Sequence, residues 1–131
     1  MSKSFSQLCP DFEEWPIRWM GFPEDILFGK KIIDIFKSFI EDLINSKYTE
    51  KTIRRHIDNL WLLGGEILRD INMDPDFRNS NALDVLMKNI GSDGGPLCLH
   101  IDIEVERRSF DATCKRLYKF LERTKEWTRR R

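Results

Sequence analysis

The chain is poor in the residues that most often carry chemistry, with two His and three Cys in 131 positions. A nucleophilic thiol needs a nearby base to become a thiolate, and only His56 and His100 are available. The carboxylate pairs Glu13-Glu14 and Glu24-Asp25 are neighbours in sequence and point in different directions, and no glycine-rich phosphate loop accompanies them. Catalysis has no visible machinery, so the chain reads as a non-enzyme that needs no cofactor. Net charge is also absent, because 22 basic residues balance 22 acidic ones. That excludes a polycation, or an acidic mimic of DNA, acting through bulk charge, and leaves local patches as the source of any electrostatic function. Long hydrophobic runs are missing too. Lys30, Lys31, Asp34 and Lys37 cut the longest apolar segments well short of the ~20 residues of a membrane span. The N-terminus MSKSFSQLCPDFEEW lacks the apolar core of a signal peptide. Cys9, Cys98 and Cys114 are odd in number and widely spaced, which favours free thiols in a reducing compartment over a disulfide. A cytoplasmic protein with no membrane role is expected.

What is present is a core. Forty per cent hydrophobic residues, among them nine Phe and four Trp, are enough for one domain over residues 1–131, with 1–14 and 129–131 expected to be flexible. From Lys30 to Asn45 the residues Ile32, Ile33, Phe36, Phe39, Ile40, Leu43 and Ile44 recur at three- and four-residue steps, the pattern of an amphipathic helix. Thr49 is placed to cap a second helix with Ile53, Ile57, Leu60 and Leu63 on one side, which makes a helical hairpin. Gly64-Gly65 would each cost about 1 kcal/mol in a helix relative to Ala. Either the helix bends there or another backbone comes too close for a Cβ. Residues 72–81 read as a loop around Pro75, and Ser80 or Asn81 opens a short helix through Ile90, with Gly91 as its C-terminal cap. GSDGGP at 91–96 has the least ordered composition. Phe110, Cys114, Leu117, Tyr118 and Leu121 then share one face of a last helix over 109–131, where Cys114 reads as core packing.

Between these helices, Leu97, Leu99, Ile101, Ile103 and Val105 alternate with polar residues, a strand signal near 97–105. A strand with no evident partner is an edge pairing across a homodimer, an extended arm, or the start of the last helix. Cys98, His100, Asp102 and Glu104 would share its other face, but side chains about 6.6 Å apart let one strand offer two adjacent metal ligands at most. It reads as a polar face, and no metal site is expected. The fold class is therefore mainly α, four or five helices with one short β segment.

Two features point to partners. Lys47, Lys51, Arg54, Arg55 and His56 crowd the start of the second helix, where Lys51, Arg54 and Arg55 fall outside the apolar stripe and the hydroxyl of Thr49 or Thr52 could add a neutral donor for a phosphate. Glu50 and Asp58 would balance an ordinary solvated face equally well. From Arg107 to Arg131, ten basic residues, including Arg116, Lys119 and Arg123, stand against three acids. The second feature is aromatic. WPIRWMGFP at 15–23 reads as an irregular lid on the helical body, and Trp15, Trp19, Phe22 and Trp127, if exposed, are the anchors a protein partner would grip.

The stretch FIEDLINSKYTEKTIRRHIDNLWLLGGEIL, residues 39–68, resembles the SAM-like N-terminal core-binding domain of tyrosine recombinases and phage integrases. The matching residues are Thr49, Lys51, Thr52, Ile53, Leu60 and Leu63, with Phe39 and Leu43 on the preceding helix. The resemblance covers about a quarter of the chain and implies DNA contact through Lys51, Arg54 and Arg55, in a protein of mobile-element origin. With no room for a catalytic domain and no Arg, His and Tyr set in the expected order, it implies binding without recombination. The expected function is a small non-catalytic protein that contacts DNA through the basic hairpin and the basic last helix. The alternative is a protein-interaction module, an adaptor, inhibitor or homodimer, with no nucleic-acid role.

Overall fold

The computed structural model describes residues 4–20, 22–73, 80–96 and 101–129, with the backbone alone at 72–73 and 125–129. Helix α1 (Phe5–Leu8) leads through a 3-10 turn (Phe12–Glu14) into α2 (Trp15–Trp19). The long helices α3 (Asp25–Asn45) and α4 (Glu50–Met73) follow, then the short α5 (Ala82–Asn89) and finally α6 (Glu104–Arg129). Among the described residues the only β pairing is an isolated bridge between Gly91 and Gly94, so the fold is all-α.

The apolar stripes decide the packing. Phe28, Ile32, Ile33, Phe36, Phe39, Ile40 and Leu43 of α3 meet Ile53, Ile57, Leu60, Leu63, Ile67, Leu68 and Ile71 of α4 in one core. The hairpin turns on Lys47, held in the left-handed region at φ 63°. Thr49 then caps α4 as expected, its Oγ1 accepting the Thr52 amide at 3.2 Å. Helix α6 lies antiparallel to α4, since Asn59 reaches Ser109 and Thr113 while Tyr48, earlier in the chain, meets Arg116.

Four expectations need correction. Residues 4–14 are packed and not a free tail: Leu8, Cys9 and Phe12 are buried, and Phe5, Phe12 and Trp15 form a run of ring contacts 4.8–4.9 Å apart. Helix α4 runs unbroken through Gly64-Gly65, and what fills the missing side chain is an indole, not a backbone. A Cβ on Gly64 would lie 2.3 Å from the Trp19 ring. The glycine-rich 91–96 segment is held, not loose. Gly91 is not a left-handed cap but half of a tight turn in which Gly94, at φ 138°, reverses the chain. Arg107 donates to the carbonyls of Gly95 (2.9 Å) and Pro96 (2.6 Å), and Asp111 accepts the Gly95 amide at 3.0 Å. Finally, no strand forms over 101–105, and Leu97 to His100 lie outside the described residues. Residues 101–103 are irregular, and Glu104 and Val105 begin α6, which the Arg107 amide to the Ile103 carbonyl (3.0 Å) and the Arg108–Glu104 ion pair (2.7 Å) support. The alternation does not track burial, because Ile103 and Val105 are 55% and 73% exposed. The strand-paired dimer therefore loses its structural basis in this part of the segment.

Candidate nucleic-acid interface

Helical spacing sorts the basic residues of α4 into two groups. Arg55 shares a side with Asn59, four residues on, and Asn59 donates to the Ser109 carbonyl (3.1 Å) and to Thr113 Oγ1 (2.8 Å) on α6. Arg54 shares the opposite side with Trp61, seven residues on, which packs against Trp15 and Trp19 of α2. Arg54 is also occupied, its Nε 3.0 Å from Glu50 Oε1. The hairpin resemblance implied Arg54 and Arg55 together; both are exposed, as is Lys51, but Arg55 shares its side of α4 with Asn59 whereas Arg54 is paired with Glu50.

The two basic patches meet at the hairpin turn. The Arg116 guanidinium lies over the Tyr48 ring, 4.9 Å from its centroid, and donates a hydrogen bond to the phenol oxygen. Lys47, beside Tyr48, is exposed. Along α6, Lys115, Arg116, Lys119 and Arg123 border an open concavity of about 670 Å³ together with Ala112 and Glu122. Arg123 also borders a smaller hollow beside Asp42 and Phe120, which places the C-terminal end of the stripe against α3. Lys47, Lys51, Arg55, Lys115, Arg116, Lys119 and Arg123 thus share one end of the α3–α4–α6 bundle. Tyr48 and Lys115 were not singled out by the sequence reading. The signal for Tyr48 was its place as an aromatic between Lys47 and Lys51, a pattern that suits a backbone-tracking groove.

The hydroxyls at the start of α4 are partly used. Thr49 Oγ1 donates to Thr52 Oγ1 at 2.9 Å while accepting the Thr52 amide, so Thr52 retains its own hydroxyl proton for a ligand. His56 leaves the surface altogether: it is 3% exposed, with Nδ1 2.7 Å from Thr113 Oγ1. Burial, followed by the nearby positive charges of Arg116 and Arg55, lowers its pKa from 6.5 to about 4. The imidazole is therefore neutral at physiological pH, and it serves the α4–α6 contact, not the basic face.

The aromatic anchors fare unequally. Trp15 is 3% exposed and belongs to the core, which removes it from any partner surface. Trp19 is half-buried, stacked on Trp61 and wedged over Gly64. Phe22 is 53% exposed, with Ile17, Met20 and Leu27 exposed near it in sequence. The side chain of Trp127 lies outside the described residues. Cys9 and Cys114 are buried, and burial, with Asp11 adding to it, pushes the Cys9 thiol up to about 12, far from thiolate reactivity. Among the described residues no cluster of His, Cys, Asp and Glu could hold a metal ion, and no helix is long and apolar enough to cross a membrane. Cys98 and His100 of the polar face considered above lie outside the described residues. No protein family, curated protein or solved structure matches this chain.

Proposed function

We propose that this chain is a non-catalytic nucleic-acid-binding module that grips the phosphate backbone of DNA with the end of the bundle where the 47–55 turn meets α6. The observation that carries the reading is the Tyr48–Arg116 contact, which joins two basic patches 68 positions apart in sequence into one surface. Lys47, Lys51, Arg55, Arg116, Lys119 and Arg123 would neutralise phosphates, with the Thr52 hydroxyl as a neutral donor. The resemblance of residues 39–68 to the core-binding domain of tyrosine recombinases supports the same use of the hairpin, and with it a mobile-element origin. Few base-reading side chains accompany these cations, so binding is weakly sequence-specific and strongly salt-dependent.

Fluorescence anisotropy with a labelled duplex over a range of salt concentrations tests this. Replacing Lys51, Arg55 and Arg116 together with Ala should flatten the slope of log affinity against log salt by up to about three contacts' worth. Arg54→Ala should change the slope less, because Arg54 is paired with Glu50 and lies off the side of α4 that carries Arg55 and Asn59. No binding at low salt would overturn the proposal. It would leave the protein-interaction reading, which the exposed Ile17, Met20, Phe22 and Leu27 favour.

A further inference from the structure

In the C-terminal half of α4, away from the basic end, a second concavity of about 220 Å³ opens between α2 and α4. Arg18 and Trp19 border it from α2, and Trp61, Gly65, Glu66 and Arg69 from α4. Its floor is aromatic and fixed. Trp19 and Trp61 are stacked with centroids 5.6 Å apart and planes 30° apart, and the Trp19 indole N–H donates to the Trp61 carbonyl at 3.2 Å. Gly65 keeps it open, since a Cβ there would meet nothing closer than Trp19 Cδ1 at 3.6 Å.

Glu66 is the group that packing does not explain. Its side chain is only 9% exposed, yet among the described residues it accepts no hydrogen bond, and its ion-pair partner is Arg69 at 4.0 Å, a side chain itself 53% exposed. A carboxylate at that depth normally collects several hydrogen bonds or a close ion pair, because its lost hydration must be replaced. Neighbouring charge does not replace it. Arg18 is tied to Glu14 at 3.3 Å. Asp70, whose pKa is pushed up first by burial and then by Glu66, adds a second carboxylate. Of the charged side chains that border the concavity, Arg18 is paired with Glu14 and Arg69 reaches Glu66 only at 4.0 Å from an exposed position, so the buried Glu66 carboxylate is left for a cation.

We infer that this concavity binds an alkylated ammonium head, seated against the Trp19–Trp61 pair with Glu66 as its counter-ion and the exposed Arg69 swung aside. The chemistry selects that class of cation. Trp faces attract positive charge but accept no ordinary hydrogen bonds, and the Trp61 carbonyl is already used by Trp19. A bare ammonium or a guanidinium would leave most of its donors facing rings, whereas an alkylated ammonium has few or none to satisfy. The volume holds one such head and is smaller than a drug-sized pocket. The head could be a free small molecule of the choline type or a methylated lysine side chain of a protein.

NMR of the full chain reads the site directly, because the Trp19 indole N–H belongs to its floor. Titration with choline, and separately with a peptide carrying trimethyl-lysine, should give a saturable shift of that signal, with the tighter probe naming the source and the unmethylated peptide binding more weakly. Glu66→Gln, which keeps the shape and removes the charge, should weaken binding about tenfold or more. Gly65→Ala, which fills the open floor without a clash, should weaken it as well. The absence of a shift by either probe up to about 10 mM, or an unchanged response in Glu66→Gln, would overturn the inference. Neither outcome bears on the basic end, whose salt-dependent DNA binding is read with different residues.

Discussion

Asn59 and Trp61 are two residues apart on α4 and point to opposite sides of it, and the two contacts they anchor are built from different physics. Toward α6 the contact is polar and directional: Asn59 donates to Ser109 and Thr113, and His56 joins the same Thr113 hydroxyl at 2.7 Å. Toward α2 it is a matter of shape, with Trp19 stacked on Trp61 and fitted into the space that Gly64 leaves. A hydrogen-bonded contact fixes the register of two helices by donor and acceptor positions, and it depends on protonation. A contact made by an indole against a glycine fixes it by volume and is indifferent to pH but intolerant of a single methyl group. The polar contact stands beside the proposed phosphate-binding end and the aromatic one beside the proposed cation pocket, so each would hold its neighbouring surface in place.

The largest expected separation of the two comes from acid. The buried His56 has its pKa lowered to about 4, whereas in the unfolded chain it protonates near its ordinary 6.5. Its contribution to stability is therefore complete above about pH 6.5 and is lost as pH falls toward 4, by about 3 kcal/mol in all. Chemical denaturation measured across that window should show the loss in the native chain. The difference from His56→Gln, which keeps a hydrogen-bonding group near Thr113 but cannot titrate, isolates it from the carboxylates and from His100. Equal pH profiles would mean that the α4–α6 contact does not rest on a neutral imidazole.

Second in size is Gly64→Ala. Helix propensity alone would stabilise the chain by about 1 kcal/mol. Against that, the new methyl would lie 2.3 Å from the Trp19 ring, so the indole must leave its stack on Trp61 and lengthen its 3.2 Å bond to the Trp61 carbonyl. Overpacking of this kind costs more than the propensity gain, and a net loss of about 2 kcal/mol is expected, with no change in pH dependence. A higher melting temperature in the variant would show that Trp19 gives way freely and that shape does not hold α2.

Much of this fold is legible in the sequence, because the stripe Ile53, Ile57, Leu60, Leu63 and its counterpart on α3 are local patterns that survive into the core. The burial of His56 is legible too. It stands three residues after Ile53 and four before Leu60, on the apolar stripe, so its spacing outweighs its place among Lys51, Arg54 and Arg55. What could not be read is whatever depends on distant partners. The 91–96 turn has a flexible composition and is held by Arg107 and Asp111. Tyr48 finds Arg116, and Gly64 finds Trp19, across stretches of chain whose closure no local period encodes. The strand signal at 97–105 failed in its last residues for the converse reason: period two is meaningful only when one face is buried, and Ile103 and Val105 face solvent.

The smallest effect is the finest test of the aromatic side, because it sets two adjacent glycines against each other. Gly65 sits one position past Gly64 on the same helix, and a Cβ built on it stands 3.6 Å from Trp19 Cδ1 and 3.7 Å from Nε1, both ordinary contacts. Gly65→Ala therefore gains the helix-propensity advantage of up to about 1 kcal/mol with no clash to offset it. Its melting temperature should rise by a few degrees while that of Gly64→Ala falls. The double variant should lie near the sum of the two only if Trp19 responds to position 64 alone. A ring already displaced by the methyl at position 64 would press on the methyl at position 65, and the double variant would then be less stable than the sum. Thermal melts of the three variants under one buffer decide it. If both single variants move in the same direction, the indole does not distinguish the two positions and the close fit at Gly64 is not what holds α2 on α4.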